Sequence, residues 1–345
     1  MSELVSILVP AYNAERWIRD TMLSAINQTW ANKELIVVDD GSTDNTLKVA
    51  KQLESKTVKV IAQSNTGACG ARNNALKLAQ GDYIQWLDAD DLLDPDKISS
   101  QLRRKAGGKE SCTLLTSAWG SFFFSQDRAK FRPDSLWQDL SPIDWLTTKF
   151  MDNVWMNPTA WLVSRHLTDL AGPWDGRLSL SGDDDGEYVC RVVAASDAVR
   201  FVPDARCYYR IGNVGSLNWE MGRSDKRLKS LLLSLELAIT HLRSLEDSEK
   251  TRMACLKLLE TWLPLYYAEK PEFAAQLNNL AFQLGGTLGP PRISWKYYPV
   301  EALFGSGMAK RTMNNWRKRK LLLQRHWDRL MYRMPGRSCS HQRAA

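Results

Sequence analysis

The chain has 345 residues, enough for one large α/β domain plus an appendage. It carries 46 Lys and Arg against 39 Asp and Glu, a net charge of +7. Eleven of those basic residues but a single acid, Asp328, follow Ala309; the body before them is mildly acidic, with 35 basic and 38 acidic residues. The start, Met-Ser-Glu-Leu-Val-Ser, lacks the basic and apolar regions of a secretory signal, and no window of about 18 apolar residues predicts a membrane span. Six cysteines without a CxxC pair and four scattered histidines argue for reduced thiols in a reducing compartment and against a Cys/His metal site.

In chain order, Val5–Val9 reads as a strand ending at Pro10, and Ala14–Thr29 as a helix with Asn13 as N-cap. Glu34–Val38 is a second strand running into Asp39-Asp40-Gly41-Ser42. Thr46–Leu53 is helical and Val58–Ile61 a third strand. Asn65–Gly70 reads as a loop, Ala71–Leu78 as a helix and Asp82–Leu87 as a fourth strand. Asp94 and Pro95 open the next helix as N-cap and first helical residue. Residues 112 to 180 are mixed and rich in Trp, and two short strands are expected at Phe201-Val202 and Cys207-Tyr208-Tyr209. From Asp225 the pattern is helical, with breaks near Pro264, Pro271 and Gly285-Gly286. Strands alternating with helices predict a doubly wound, mainly parallel α/β sheet over residues 1–222, with a helical region over 223–345. Such sheets bind ligands beyond the carboxyl ends of their strands, where Ala11-Tyr12-Asn13, Asp39-Asp40 and Asp88-Ala89-Asp90 fall.

Asp88-Ala89-Asp90 puts two carboxylates on one side of an extended segment. They repel unless a cation lies between them, and Mg²⁺ or Mn²⁺ held by one or two carboxylates completes its shell with water and phosphate oxygens. A phosphate ester is the expected ligand. Taken alone, the same residues read more readily as a solvated turn.

The ordered set Pro10-Ala11-Tyr12-Asn13, Gln28-Thr29, Val38-Asp39-Asp40-Gly41-Ser42-Thr43-Asp44, Asn65-x-Gly67, Ala71-Arg72-Asn73, Asp88-Ala89-Asp90-Asp91, Gly172-Pro173-Trp174-Asp175 and Asp183-Asp184-Asp185 resembles the family 2 glycosyltransferases of GT-A fold. The resemblance runs from about Val5 to Arg210. It implies a nucleotide-sugar donor, UDP-linked by preference, a divalent metal (Mn²⁺ or Mg²⁺) and inverting transfer to a hydroxyl of a glycan or lipid-linked acceptor. It would place Pro10, Tyr12, Asp39, Arg72 and Asp88 around the nucleotide, with Asp90 as the metal ligand and Asp88 between metal and ribose. Asp40 and Asp44 read rather as turn or capping residues.

Inverting transfer also needs a base facing the acceptor, and the acidic run after Ser181-Gly182 offers one. The family pattern has an acidic pair followed by a further acid and an Arg; matching Glu187 and Arg191 to those, the resemblance implies Asp185 as base with Asp184 beside it, although three consecutive aspartates leave the register open by one. Crowded acids raise a pKa, which suits a proton acceptor. Trp174 and Arg210 are offered as acceptor or diphosphate contacts, Arg210 equally as a structural ion pair, with a closing loop through Gly212, Gly215 and Ser216.

Outside the resemblance, Leu228, Leu231, Leu232, Leu235 and Leu242 recur at helical spacing and predict a packing helix. Trp316–Met331 interleaves basic residues with Trp316, Leu321, Leu322, Leu323, Trp327 and Leu330. Three readings stay open for residues 310–337: an anionic membrane surface, a solvated helix or, less favoured, nucleic acid. Together these give a cytoplasmic enzyme peripheral to the membrane. The competing reading is an inactive GT-A nucleotide-binding module tethered by its basic tail.

Overall fold

The protein is described from a computed structural model covering residues 2–105, 112–179, 183–212, 224–266, 270–291 and 295–333. Ser181, Gly182, Gly215, Ser216, Arg337 and Cys339 of the sequence reading lie outside the described residues. Four parallel strands form the main sheet: β1 (Val5–Ala11), β2 (Lys33–Asp39), β3 (Val58–Ala62) and β4 (Tyr83–Trp86). They join through α1 (Ile18–Ile26), α2 (Thr46–Lys51) and α3 (Ala68–Leu78), and β8 (Val163–Ser164) pairs antiparallel to β4. β1 is apolar almost throughout because both of its faces are covered, as central parallel strands require.

The sheet order is β3-β2-β1-β4-β8. The chain winds outward from β1 to β3 and then returns to the other side of β1 with β4. A crevice therefore opens between the carboxyl ends of β1 and β4, the topological switch point where doubly wound sheets bind ligands. The turn after β1 and Asp88-Ala89-Asp90 flank that crevice.

A second sheet has the order β5-β9-β6-β7, built from β5 (Leu92–Leu93), β6 (Thr113–Phe122), β7 (Lys130–Phe131) and β9 (Ala198–Arg210). The two short strands expected near 201 and 207 are one strand. Its pairing with β6 skips from Val202 to Arg206 opposite Ser117 and Ala118. Pro203 cannot donate to a ladder, so the chain bulges there and resumes. Other departures are local. Asn13 has φ 49° and lies outside α1, which begins only at Ile18. Ala68–Gly70 are already helical, and the residue before α4 (Lys97–Arg103) is Asp96, two residues later than the Asp94 cap expected. Pro264 sits inside α9 rather than ending it.

Helices α5 (Pro142–Asp152), α6 (Arg165–Ala171) and α7 (Asp184–Ala194) cover the sheet, followed by α8 (Asp225–Leu245), α9 (Glu249–Tyr266), α10 (Pro271–Gln283) and α11 (Tyr298–Arg333). The five leucines predicted for α8 are all buried, and one apolar core runs from β1 through Leu277 of α10. α11 breaks at Gly305, where φ is 80°. Among the described residues none of the five cysteines is in a disulfide. No helix among the described residues is long and apolar enough to cross a membrane.

Lys97 is fully buried, and its ammonium meets only neutral oxygens: Gln85 Oε1 at 2.5 Å, Gln101 Oε1 at 2.8 Å and the Trp161 carbonyl at 3.4 Å. Burial lowers its pKa to about 7. The unfolded chain then binds more protons than the native one from about pH 7 up to the ordinary lysine range near 10, so this group makes stability rise with pH there. Wild type should gain melting temperature relative to Lys97→Met between pH 6 and pH 9 in thermal unfolding. A difference independent of pH would mean that the buried amine titrates normally.

Candidate active site

The loops beyond the sheet are fastened before any ligand is considered. Asp40, expected to be a turn residue, accepts from the Thr66 and Gly67 amides at 2.8 and 2.9 Å and from Gln63 Nε2 at 2.8 Å. It thereby holds the entry to α3 open at Gly67, whose φ of 83° and 2.8 Å approach of a Cβ to Ser179 leave no place for a side chain. Asn13 ties the turn after β1 to the turn after β2, accepting from the Thr43 amide at 2.9 Å while its own amide donates to Ser42 Oγ at 3.0 Å. Asp44 accepts from the Thr46 and Glu15 amides.

The acidic turn after β4 is held from behind. Asp91 is fully buried and accepts from the Arg210 amide at 2.8 Å and Thr159 Oγ1 at 2.9 Å. Arg210 donates through Nε to the Asp90 carbonyl at 2.8 Å and through Nη1 to the Phe123 carbonyl at 2.9 Å. Its guanidinium also lies over the rings of Trp17 and Phe122, at 4.1 and 4.3 Å. Arg210 thus positions the turn through backbone carbonyls, where the sequence suggested a diphosphate contact or an ion pair. With their backbone fixed in this way, Asp88 and Asp90 line the cleft.

Arg72 organises the floor. Its Nη2 donates to Asp88 Oδ1 at 3.0 Å and its Nη1 to Asp184 Oδ2 at 2.6 Å, while its carbon CZ lies 4.3 Å from the centre of the Trp174 ring. Trp174 stacks in turn on Tyr188, centroids 4.0 Å apart and planes 9° apart. Trp174 is 2% exposed, so it supports Arg72 from below and does not form the acceptor surface suggested by its place in the sequence. Asn73 locks it by exchanging two 2.8 Å hydrogen bonds with the Trp174 backbone. Arg191 completes the frame by donating to the Ala171 and Pro173 carbonyls and to Glu187, which also contacts His241 of α8.

The three consecutive aspartates separate by partner. Asp183 accepts from Ser234 Oγ of α8 through its carbonyl at 3.0 Å and through Oδ2 at 3.1 Å. Asp184 is buried against Arg72 and Cys69. Asp185, half-buried at the N-terminus of α7, lines the cleft and accepts from the Gly186 amide at 3.0 Å. Burial and the neighbouring Asp184 and Asp183 charges push its pKa up to about 8, beyond what Arg72 offsets. That value suits a group that must take a proton near neutral pH.

On the nucleoside side, Pro10 and Tyr12 line the cleft, Tyr12 being 52% exposed. Asp39 lies at the end of β2 opposite Ala11, with Oδ2 accepting the Ser42 amide at 3.2 Å and Oδ1 buried without a hydrogen-bond partner. A buried carboxylate oxygen lacking a donor costs on the order of 1–3 kcal/mol or more, which leaves a demand for an N–H. On the metal side, the charges of Asp90 and Asp88 add to burial in raising the Asp91 carboxyl well above its ordinary value. Excess negative charge on hard oxygen donors fits a divalent cation. Among the described residues no group of three or more His, Cys, Asp or Glu gathers as a metal cage, in keeping with two carboxylates sharing an ion with water and phosphate.

A parallel sheet with its carboxyl-end crevice, an Asp-x-Asp turn and an opposed acidic helix start are the features of a GT-A fold. Residues 6–140 match the sequence profile of the family described as Glycosyl transferase family 2. An uncharacterized glycosyltransferase of Haemophilus influenzae is 43% identical over 102 residues, 29% of this chain and 41% of that one. The Escherichia coli protein named UDP-Glc:alpha-D-GlcNAc-diphosphoundecaprenol beta-1,3-glucosyltransferase WfaP is 45% identical over 101 residues, 29% of this chain and 40% of that one. The glycosyltransferase GlyG of Streptococcus pneumoniae is 28% identical over 61% of this chain and 71% of its own. This chain thus spans about two-fifths of the length of the first two relatives. In fold it resembles Staphylococcus aureus TarS solved with UDP-GlcNAc, TM-score 0.61 at 17% identity over 81% of each chain. It also resembles the Pyrobaculum calidifontis mannosyltransferase PcManGT solved with GDP-Man and Mn²⁺, TM-score 0.54 at 17% identity over 97% of this chain and 89% of that one.

The site residues named from sequence come together around one cleft, except that Trp174 and Asp39 lie in its walls behind the surface. Sequence reading missed the supporting roles of Asp91 and Asp40, and the cleft-facing arginines of α11. Asp91 could have been found as the odd fourth acid after Asp-x-Asp. Removing Arg72 leaves Asp184 as a buried charge without its cation, which costs about 3–5 kcal/mol. Arg72→Met should show a loss of that order in denaturant unfolding, and an additional Asp184→Asn should recover much of it. An Arg72→Met protein as stable as wild type would remove this bridge from the frame.

Proposed function

We propose that the protein is a metal-dependent inverting glycosyltransferase that moves a sugar from a nucleotide-sugar donor, UDP-linked by preference, to a hydroxyl of a glycan or lipid-linked acceptor. The observation that carries this is the double ion pair of Arg72. One guanidinium joins Asp88 of the acidic turn to Asp184, the neighbour of Asp185, so a leaving-group end and a proton-accepting end share one cleft.

In this reading Pro10 and Tyr12 pack against the nucleoside, and the unpartnered Asp39 Oδ1 accepts the imide N–H of uracil. Asp90 would hold Mn²⁺ or Mg²⁺, with Asp88 between the ion and the ribose. When bound, that ion offsets the charge that builds on the departing diphosphate. Asp185 takes the proton of the acceptor hydroxyl as its oxygen bonds to the anomeric carbon and the bond from that carbon to the diphosphate oxygen breaks. The transition state has oxocarbenium character, and attack from the face opposite the diphosphate inverts the centre. Arg72 holds Asp184 in place beside Asp185, whose basicity is raised by burial and by that neighbour. An inactive binding module has less to recommend it, because it gives no use for a carboxylate tuned to about 8 that opens into the cleft.

The outer face of α11 carries exposed Trp316, Trp327 and Leu330 beside a run of basic residues. We take it to rest on an anionic membrane surface from the cytoplasmic side, with basic side chains meeting headgroups and aromatic rings entering the interface. Nucleic acid is the weaker partner.

Four outcomes test this reading. Asp185→Asn should lower transfer by about a thousandfold or more while UDP–Mn²⁺ binding by calorimetry stays within a few-fold; loss of both together would move the base elsewhere. Because the base works deprotonated, the wild-type rate should climb with pH toward a shoulder near pH 8 and fall with unit slope below it. Asp39→Asn should weaken UDP by about tenfold or more, from loss of a charge-assisted hydrogen bond of about 1.5–3 kcal/mol, and affect an inosine nucleotide less. EDTA should remove activity and Mn²⁺ restore it, and an enzyme indifferent to both would exclude the metal.

A further inference from the structure

We infer that α11 and the loop after β1 form a second anion site in the cleft, shaped for an amphiphile whose phosphate or diphosphate joins a hydroxyl-bearing head to an apolar tail, and that this amphiphile supplies the acceptor hydroxyl. The acceptor role rests on the donor reading above; the anion site itself does not.

The first observation is where α11 lies. Asp328, the one acid after Ala309, is 9% exposed and accepts from the Phe124 amide at 3.1 Å and from Arg128 at 3.2 Å. Tyr332 packs its ring 6.3 Å from that of Phe124, and a Cβ on Gly212 would come within 3.3 Å of Arg325 Cδ. This anchorage makes the helix a wall of the cleft. Arg319, Arg325 and Arg329 line it together with Arg16 from the loop after β1. Arg16 and Arg325 lie over the rings of Trp17 and Phe124, at 5.2 and 5.6 Å.

The second observation is charge. Among the described residues no carboxylate pairs with any of these four arginines. Burial and the Arg16 and Arg329 charges all lower the Arg325 pKa, as like charges do when nothing offsets them. Guanidinium forks match phosphate oxygens in pairs, so a phosphate removes the repulsion and satisfies the donors together.

The third is the company these arginines keep. Leu321, Leu322 and Leu323 line the same cleft, and Leu323 is 71% exposed. A site for a free polar anion gains nothing from leucines on its wall, whereas an apolar tail leaving a phosphate head buries them. Size agrees. The cleft encloses about 2210 Å³, whereas a small-molecule site takes about 300–1,000 Å³, so a nucleotide sugar leaves room for a second ligand.

The test uses the full chain with farnesyl diphosphate as the amphiphilic probe, inorganic pyrophosphate as the head alone and farnesol as the tail alone. Each is titrated into protein already saturated with UDP and Mn²⁺. Farnesyl diphosphate should bind the loaded protein, pyrophosphate at least tenfold more weakly, and farnesol more weakly still. Arg325→Ala/Arg329→Ala should weaken farnesyl diphosphate by tenfold or more with UDP–Mn²⁺ affinity and melting temperature unchanged, which also shows that the variant folds. Displacement of farnesyl diphosphate by UDP would assign the arginines to the donor diphosphate and overturn the inference, as would undiminished binding by the double variant. Pyrophosphate binding as tightly as farnesyl diphosphate would reject the amphiphile in favour of a free-phosphate site. If UDP–Mn²⁺ fails to bind wild type while farnesyl diphosphate retains its dependence on Arg325 and Arg329, the donor reading and the acceptor role fall and the anion site stands.

Discussion

The rest of the site depends on one buried guanidinium with two carboxylates to satisfy. Arg72 is 6% exposed, and a cation so placed is tolerated only where opposite charges and hydrogen bonds replace its water. Asp88 and Asp184 supply them from places in the sequence nearly a hundred residues apart, one after the fourth parallel strand and one at the start of α7. The two acidic motifs are thereby tied to one point. Trp174 under the guanidinium, Tyr188 under Trp174 and Arg191 across the carbonyls of Ala171 and Pro173 form a stack that keeps the pairing in register. The Gly-Pro-Trp-Asp segment and Arg191 read as separate motifs in the sequence, and in three dimensions they are parts of one support.

The same logic sorts the acids by task. Asp91, Asp40 and Asp183 turn toward amides and hydroxyls and hold backbone; Asp184 neutralises Arg72; Asp88, Asp90 and Asp185 open to the cleft. Neighbouring positions in a run of aspartates thus have unlike chemistry, because each side chain leaves the backbone in a different direction. Burial, together with the crowding that seems wasteful in the sequence, raises Asp185.

Much of this was legible beforehand, for stated reasons. The strand–helix alternation through residue 90 follows from unbroken apolar runs such as Leu35–Val38, and the parallel sheet then places polar turns at one edge. Asp88, Asp90 and Asp185 could be named only through the ordered set of motifs that resembles a known family, since an acidic run by itself reads as a solvated turn. What could not be read depends on direction and distance. Pro203 looked like the end of one strand because a bulge and a break are alike in one dimension. Trp174 was offered as a surface for sugar, yet its 2% exposure follows from Arg72 lying above it, a contact that joins residues 102 positions apart. Asn13 has the composition of a helix cap and the conformation of a staple between two turns. The charges of α11 were plain, but only the Asp328 anchor tells which of them face the cleft.

That anchor also sets the order in which the cleft can be assembled. The Phe124 amide and the Asp328 carboxylate meet across 204 positions of chain, whereas Arg72 and Asp88 are 16 apart. A chain synthesised from its N-terminus can therefore form the parallel sheet and the acidic turn long before the last wall has been made. Until then Phe123, Phe124 and the floor beneath Arg210 face water. The late wall separates a nucleotide crevice that local contacts can form early from a complete cleft that awaits contacts of high sequence separation, the slow ones to close.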